Sequence, residues 1–389
     1  MSSSPPSASP PSASPPSSSP PSSSPPSASR SSYVEYWPGI EQPANDEEEI
    51  FDAMVAKLRG NNVRAYRKHK RGLRDAHAKS HGILIGELEV LGDLPEELAQ
   101  GLFAAPGTYP VIARLSTTSG VIRSDQIRGV RGLGIKVIGV DPTDKVLPDD
   151  HAVTQDFIFV THREFLFADA RAYLRKGIPL AILLAWLPDR VIDVASEVLA
   201  RVHRLRPLPE TLAVFVRRNT HILGDTFYSS APLRYGDHVC RMLYAPRSPE
   251  VHALAGQPTD DRDGVNALQD MVVDFFAEHD AEYELRVQLC TDLRTMPIED
   301  ATVDWPEEES PHRAVAVIRF PRQDPYTPER RAYGDDVLSF NSWRCITAHR
   351  PLGSINRLKR KVYDASSEFR HAMNNAPMVE PATAADLPR

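Results

Sequence analysis

Behind an acidic first turn, Ile50, Phe51, Met54, Val55 and Leu58 recur at helical spacing. The pattern predicts an amphipathic helix opened by a cap at Asn45 and closed at Gly60. A basic stretch, "VRAYRKHKRGLRDAHAKSHG", follows. From Ile83 the texture changes to β-branched runs separated by Gly, Pro and Asp: "ILIGELEVL", "YPVIARLST", "GLGIKVIGV" and "QDFIFV". These predict strands. Residues 164–222 read as helices broken at prolines, strands resume with "VCRMLYA", "YELRVQLCT" and "RAVAVIRF", and a helical stretch from Ser354 to Met373 closes the pattern. Antiparallel-looking strands with a helical insert and helical ends predict an α+β fold, a barrel rather than repeated βαβ units.

The most hydrophobic run, "GIPLAILLAWLP" (177–188), is unbroken over a shorter stretch than the about 20 residues a membrane span needs. It is expected to be a buried helix, with an apolar wall for a substrate as the sharper alternative. Residues 1–32 repeat "SPPSASPP" and "SPPSSSPP". Such a composition buries no apolar surface, so a disordered tail is expected, with folded sequence over 33–389. The tract has neither the basic nor the apolar region of a secretory signal.

The 389 residues carry 45 basic and 52 acidic side chains, a formal charge of −7. That balance gives no support to a nucleic-acid binder. Cys240, Cys290 and Cys345 are odd in number and widely spaced, which suggests neither a disulfide framework nor a zinc ribbon. Reduced thiols in a cytoplasmic protein are the expectation.

Two segments carry candidate chemistry. In "SINRLKRKVYDASSEFRHAM", Lys359 and Arg360 lie one turn before Tyr363 and Arg370 lies two turns after it, on one helical face. A tyrosine among cations has a reason to ionise, and a phenolate is a hard ligand for ferric iron. A plain amphipathic helix with solvated cations has the same pattern. In "RDAHAKSHG", His77 and His81 are four apart. Zinc would need a third ligand, so one histidine working as acid and base is the simpler reading.

These segments and four others occur in one order. "RDAHAKSHG" resembles R-x-x-H-A-K-G of the catalase family, "IARLSTTSG" its V-R-F-S-T-x-x-G, and "RGVRGLGIKV" its R-D-P-R-G-F-A-V-K-F. "EFLFADARAY" is similar to I-F-F-I-R-D-A-x-x-F, "VDWPEEESP" to V-W-P-x-x-x-x-P, and the last helix to R-x-x-x-Y-x-D-x-x-x-x-R. The chain looks most like the small catalase-related haem peroxidases, a catalase core without the C-terminal helical domain.

The resemblance implies a catalase-like antiparallel β-barrel with a C-terminal haem-ligand helix, a haem b cofactor, and a peroxide substrate with a small-molecule electron donor. A homo-oligomer is compatible with it. It implies that His77 moves a proton between peroxide oxygens, supported by Ser116, and that Tyr363 is the proximal iron ligand. Arg370, with Lys359 or Arg360, would keep the tyrosine anionic. Arg74 and Arg114 would hold the haem propionates, and Tyr173 and Phe165 would lie against the haem. His81 is left with a surface or supporting role.

There are two departures from the family pattern. Lys359 stands where the family has arginine, and the family's distal asparagine falls near Val160 or Thr161, of which Thr161 is the polar candidate. Loss of that amide shifts the expected activity from H₂O₂ dismutation toward reduction of organic or lipid hydroperoxides. Alternatives are a hydroperoxide-rearranging enzyme of the allene oxide synthase kind, a true catalase, or a non-catalytic haem carrier.

Overall fold

Alternation of apolar and polar residues builds nine strands among the described residues: β1 (Lys79–Val90), β2 (Thr108–Thr117), β3 (Arg131–Ile138), β4 (Thr154–Val160), β5 (Phe227–Tyr228), β6 (Leu233–Tyr235), β7 (His238–Pro246), β8 (Ala281–Leu289) and β9 (Arg313–Phe320). In the computed structural model they form one antiparallel sheet, ordered β5-β4-β3-β2-β1-β9-β8-β7-β6. Pairing of β5 with both β4 and β7 closes eight of them into a barrel, and β6 folds back on β7. The structure describes residues 1, 32–208, 213, 215–259 and 264–388. The Ser/Pro tract expected as a tail lies outside these residues except at its two ends.

The barrel is filled rather than hollow. Leu84, Leu88, Ala113, Leu115, Leu133, Phe157, Met242 and Tyr283 belong to one buried cluster, as expected of a small barrel packed by its inward side chains. The positions between them point outward. Register pairs Ser116 with Gly132 and Gly132 with Val160, then Arg114 with Gly134 and Gly134 with Ile158. One residue row further, Lys136 pairs with Asp156. This outer face of β2–β4 is where the helices pack.

Five longer helices are α1 (Glu47–His69), α2 (Ile178–Trp186), α3 (Asp189–Leu205), α4 (Ala267–Glu278) and α5 (Ser354–Asn374). Ile50, Phe51 and Met54 of α1 join Leu358 and Val362 of α5 and Ile178 of α2 in a second cluster. Helix α1 starts after Asp46 instead of Asn45 and continues nine residues past its expected stop at Gly60. A glycine in a helix costs only about 1 kcal/mol against alanine, and beyond it burial of Ala65 and the hydrogen bond from Trp186 Nε1 to Asn61 Oδ1 at 2.9 Å offset that cost. Helix α2 also departs from expectation. Only Ile178 and Ala185 are buried, while Leu183 is 57% exposed. No described helix is long and apolar enough to cross a membrane.

Charged groups fasten α5. Arg357 donates to Glu41, Glu47 and Glu299, while Glu41 and Glu299 accept from the backbone N–H groups of Gly353 and Ser354 at the helix start. On the barrel, Lys136 lies 2.6 Å from Asp156 and 2.7 Å from Glu380, and Asp156 also accepts from the Asn341 N–H at 2.9 Å. Lys136 and Asp156 are fully buried. Removing one partner of such a pair leaves an uncompensated charge. Lys136→Met should therefore lower unfolding free energy by about 3 kcal/mol in urea titration. Arg247→Ala, at an exposed pair with Glu282, should change it by less than about 1 kcal/mol.

Candidate active site

The outer face of the barrel carries a hollow because two of its registered positions have no side chain. A Cβ on Gly132 would lie 2.1 Å from the His77 ring, and one on Gly134 would lie 2.9 Å from the Phe340 ring. Two adjoining cavities occupy this hollow, one of about 90 Å³ and one of about 320 Å³. Asp75, His77, Ile158, Phe159 and Tyr363 line both of them. Residues that are nearly three hundred positions apart in the chain are thus brought to one site.

His77 enters from the segment before β1 with φ +59°, a left-handed conformation uncommon for a residue with a side chain. Its Nδ1 lies 3.0 Å from Ser116 Oγ, which donates to Gly132 O at 3.2 Å. Because the serine proton is engaged by that carbonyl, His77 Nδ1–H is the donor to Oγ. Nε2 is left as the acceptor. Burial first, then Arg114, Arg74 and Lys359, push the imidazole down to about 3. The side chain is therefore a neutral base near pH 7.

Tyr363 of α5 lines the larger cavity, as do Tyr173, Phe165 and Phe167. Tyr173 packs edge-on to Phe165 and stacked on Phe167, both at 5.3 Å between centroids. Burial, followed by Asp75 and Tyr173, raises the Tyr363 phenol above its ordinary value. The cations expected to ionise it are engaged elsewhere. Arg370 donates to Asp335 O, Asp336 O, Leu338 O and Ser339 Oγ. Arg360 is exposed and lies over Trp343. Lys359 does line the larger cavity but donates to Asn356 Oδ1 at 3.0 Å, and burial lowers it to about 8.

Arg74, Arg114 and Arg370 converge on the smaller cavity. Arg74 donates to the carbonyls of Gly334 and Leu338 at 2.9 and 2.5 Å, and Arg114 donates to His77 O at 3.0 Å and Asp335 Oδ1 at 2.9 Å. Burial would raise the Asp335 carboxyl, but Arg114 and Arg74 outweigh it and hold the group below its ordinary value. With Arg71 paired to Asp336, four guanidiniums face Asp335, Asp336 and the Asp75 carboxyl on the same wall, an excess of positive charge. Arg114 Nε and Arg370 Nε are buried without partners.

Thr161 is not brought to the site. Its hydroxyl accepts from the Arg131 N–H at 3.1 Å, and its neighbours Val160 and His162 line the cavity instead. His81 is fully buried rather than on the surface, with Nε2 2.6 Å from Thr117 Oγ1. No described cluster of three His, Cys, Asp or Glu side chains is placed to hold a metal ion. Asp335, Asp75, Gly132 and Gly134 were missed in the sequence. The period-two spacing of the glycines in "RGLGIK" was the available signal for that pair.

The donor set fits a haem. A phenol and an imidazole line the same cavities, Gly132 and Gly134 let the His77 and Phe340 rings lie close against the barrel, and a net positive corner suits a dicarboxylate edge. By sequence the chain matches no family model and no curated protein. By structure it is similar to a fungal catalase at 14% identity and TM-score 0.53, over 87% of this chain and 65% of that one. Catalase A from Saccharomyces cerevisiae matches at 13% identity and TM-score 0.55, over 88% and 70%. A bacterial catalase matches at 14% and 0.52, over 90% and 66%. The fold is catalase-like, and the chain spans about two thirds of the length of these catalases.

An unfolded imidazole titrates near 6.5 and the folded His77 near 3. The unfolded state therefore binds the extra proton first. The stability contributed by keeping His77 neutral is complete above about pH 6.5 and is lost as pH falls toward about 3. In histidine NMR, the resonance missing from His77→Ala should stay at its neutral position from about pH 8 to about pH 5. A midpoint near 6.5 would contradict the burial described.

Proposed function

We propose that this protein is a haem-dependent peroxidase that reduces organic hydroperoxides with an external electron donor, using haem b held by Tyr363. The observation that carries the reading is the pairing of a neutral, serine-oriented His77 with Tyr363 across one hollow that has an arginine-rich corner. Arg74, Arg114 and Arg370 would receive the carboxylates of the cofactor edge, with the free Nε of Arg114 and Arg370 as available donors. Tyr173 and Phe165 supply aromatic wall. Haem supplies the iron redox chemistry that cleaves the O–O bond.

The chain's own part is proton transfer. His77 Nε2 takes the hydroperoxide proton and returns it to the oxygen that leaves, while Ser116 and Gly132 keep the ring in one tautomer and orientation. Val160 contributes an apolar surface where an amide would orient H₂O₂. The larger cavity has room for a carbon chain, and Leu180, Ile182, Leu184 and Phe215 are among its apolar walls. Both features favour an organic substituent over H₂O₂. The same apolar cavity supports a second reading, rearrangement of a hydroperoxide without an external reductant, which product analysis separates from reduction to the alcohol.

The purified protein should show a Soret band that Tyr363→Phe abolishes. It should oxidise a chromogenic donor with an alkyl hydroperoxide faster than it evolves oxygen from H₂O₂. The opposite ranking would identify a catalase, and failure to bind haem would overturn the reading. His77→Ala should slow the reaction with hydroperoxide by about 10²–10⁴-fold while haem stays bound. Gly132→Ala displaces the imidazole without removing it, and the expected loss is about 10²-fold.

A further inference from the structure

Helix α3 has two faces of different kinds. On its inner side Ile192 is buried and lines the larger cavity, as do Leu180, Leu184 and Ala185 of α2. Its outer side carries Val191, Val194, Val198, Val202 and Leu205, which are 48, 63, 52, 41 and 90% exposed. With 3.6 residues per turn these five fall in one continuous stripe along the helix. Leu183 of α2 is a further large apolar side chain left exposed. A soluble face would not normally carry a row of five such residues.

Of the three acids of α3, Asp189 and Glu197 are taken up by Arg123 and Arg128, and Asp193 is exposed beside the stripe. Arg123 also donates to the carbonyls of Leu184 and Leu187 at 2.6 and 3.0 Å, which pins the corner between α2 and α3. Arg190, Arg201 and Arg204 lie on the flank adjoining the stripe, Arg206 follows the helix, and all four are exposed. An apolar stripe with an arginine-rich flank on a short amphipathic helix is the pattern of a helix lying in a membrane interface.

We propose that the outer face of α3 docks on an anionic lipid surface. Valine and leucine enter the acyl boundary, and Arg190, Arg201, Arg204 and Arg206 meet lipid phosphates. Four exposed arginines against the single unpaired acid Asp193 leave this flank net positive, which selects this occupant over a second copy of the chain, since that copy would bring the same four arginines to the contact. The cavity wall and the docking face are the inner and outer sides of the same helices. A hydroperoxide formed in the lipid would thus be presented next to the site, a consequence that rests on the peroxidase reading. Docking itself does not.

The test is flotation of the full-length protein with phosphatidylcholine vesicles, with and without phosphatidylglycerol, and without any peroxide. The protein should float with the anionic vesicles and far less with the neutral ones. Arg201→Gln and Arg204→Gln should each weaken anionic binding about fivefold. Val194→Asp with Val198→Asp should abolish it while circular dichroism and turnover of a soluble hydroperoxide stay unchanged. Absence of flotation, or flotation indifferent to these substitutions, would overturn the proposal. A dimer seen by sedimentation, dissociated by the aspartates and blind to vesicles, would overturn it too and assign the face to self-association. Flotation that persists in a protein without peroxidase activity would leave docking standing and remove the peroxidase reading.

Discussion

The convergence of three guanidiniums on the turn at Gly334–Ser339 holds the site together. Residues Tyr333–Val337 form a single π-helical turn, closed by the Leu338 N–H on Tyr333 O at 2.8 Å. Beyond that bond the turn leaves the carbonyls of Gly334, Asp335, Asp336 and Leu338 for other donors, and Arg74 and Arg370 take them. Arg74 precedes β1, Arg114 lies on β2 and Arg370 lies near the end of α5. One turn therefore binds the barrel edge that carries His77 to the helix that carries Tyr363. Lysine would not substitute, because each contact uses the planar fork to reach two or more acceptors at fixed angles. Asp335 makes the cluster tolerable by placing one carboxylate among like charges that are largely withheld from water.

The fold was legible where periodicity was strong. The seven longer strands fall within a few residues of their expected limits because one face packs the barrel and the other packs helices. Boundaries failed where tertiary contacts outweighed local signals. Helix α1 passes Gly60 because Ala65 packs with Val121 and Ala185 and Asn61 accepts from Trp186 beyond it. Helix α2 was expected to be buried because its composition is uniformly apolar. Composition does not say whether the outer half of such a helix meets protein or something else.

The site was legible at its chemical poles and illegible between them. His77, Ser116 and Tyr363 each stand in a motif, and the structure gathers them. Arg370 was expected to face the tyrosine, since helical spacing put both on one side of α5. Spacing fixes an angle around a helix, but a guanidinium reaches far enough to choose among acceptors, and the turn's free carbonyls are the stronger set. Asp335 was invisible because "YGDDV" resembles an ordinary acidic loop until three arginines are seen around it. Gly132 and Gly134 were visible as letters, but their meaning depends on register. Only once β2, β3 and β4 are paired do they become a floor beneath Ser116, Arg114 and the His77 ring.

With the arginines occupied, no cation among the described residues lowers the Tyr363 phenol, and burial, Asp75 and Tyr173 oppose its ionisation. In the proposed reading Tyr363 would hold the haem iron, and the charge of the metal would offset the burial, Asp75 and Tyr173 that keep the phenol protonated. The same logic reaches His77 on the opposite wall. Its depressed basicity has a fixed part, burial, and an electrostatic part from Arg114, Arg74 and Lys359. A dicarboxylate edge seated among the arginines would cancel much of the repulsion from Arg114 and Arg74 and leave the burial in place.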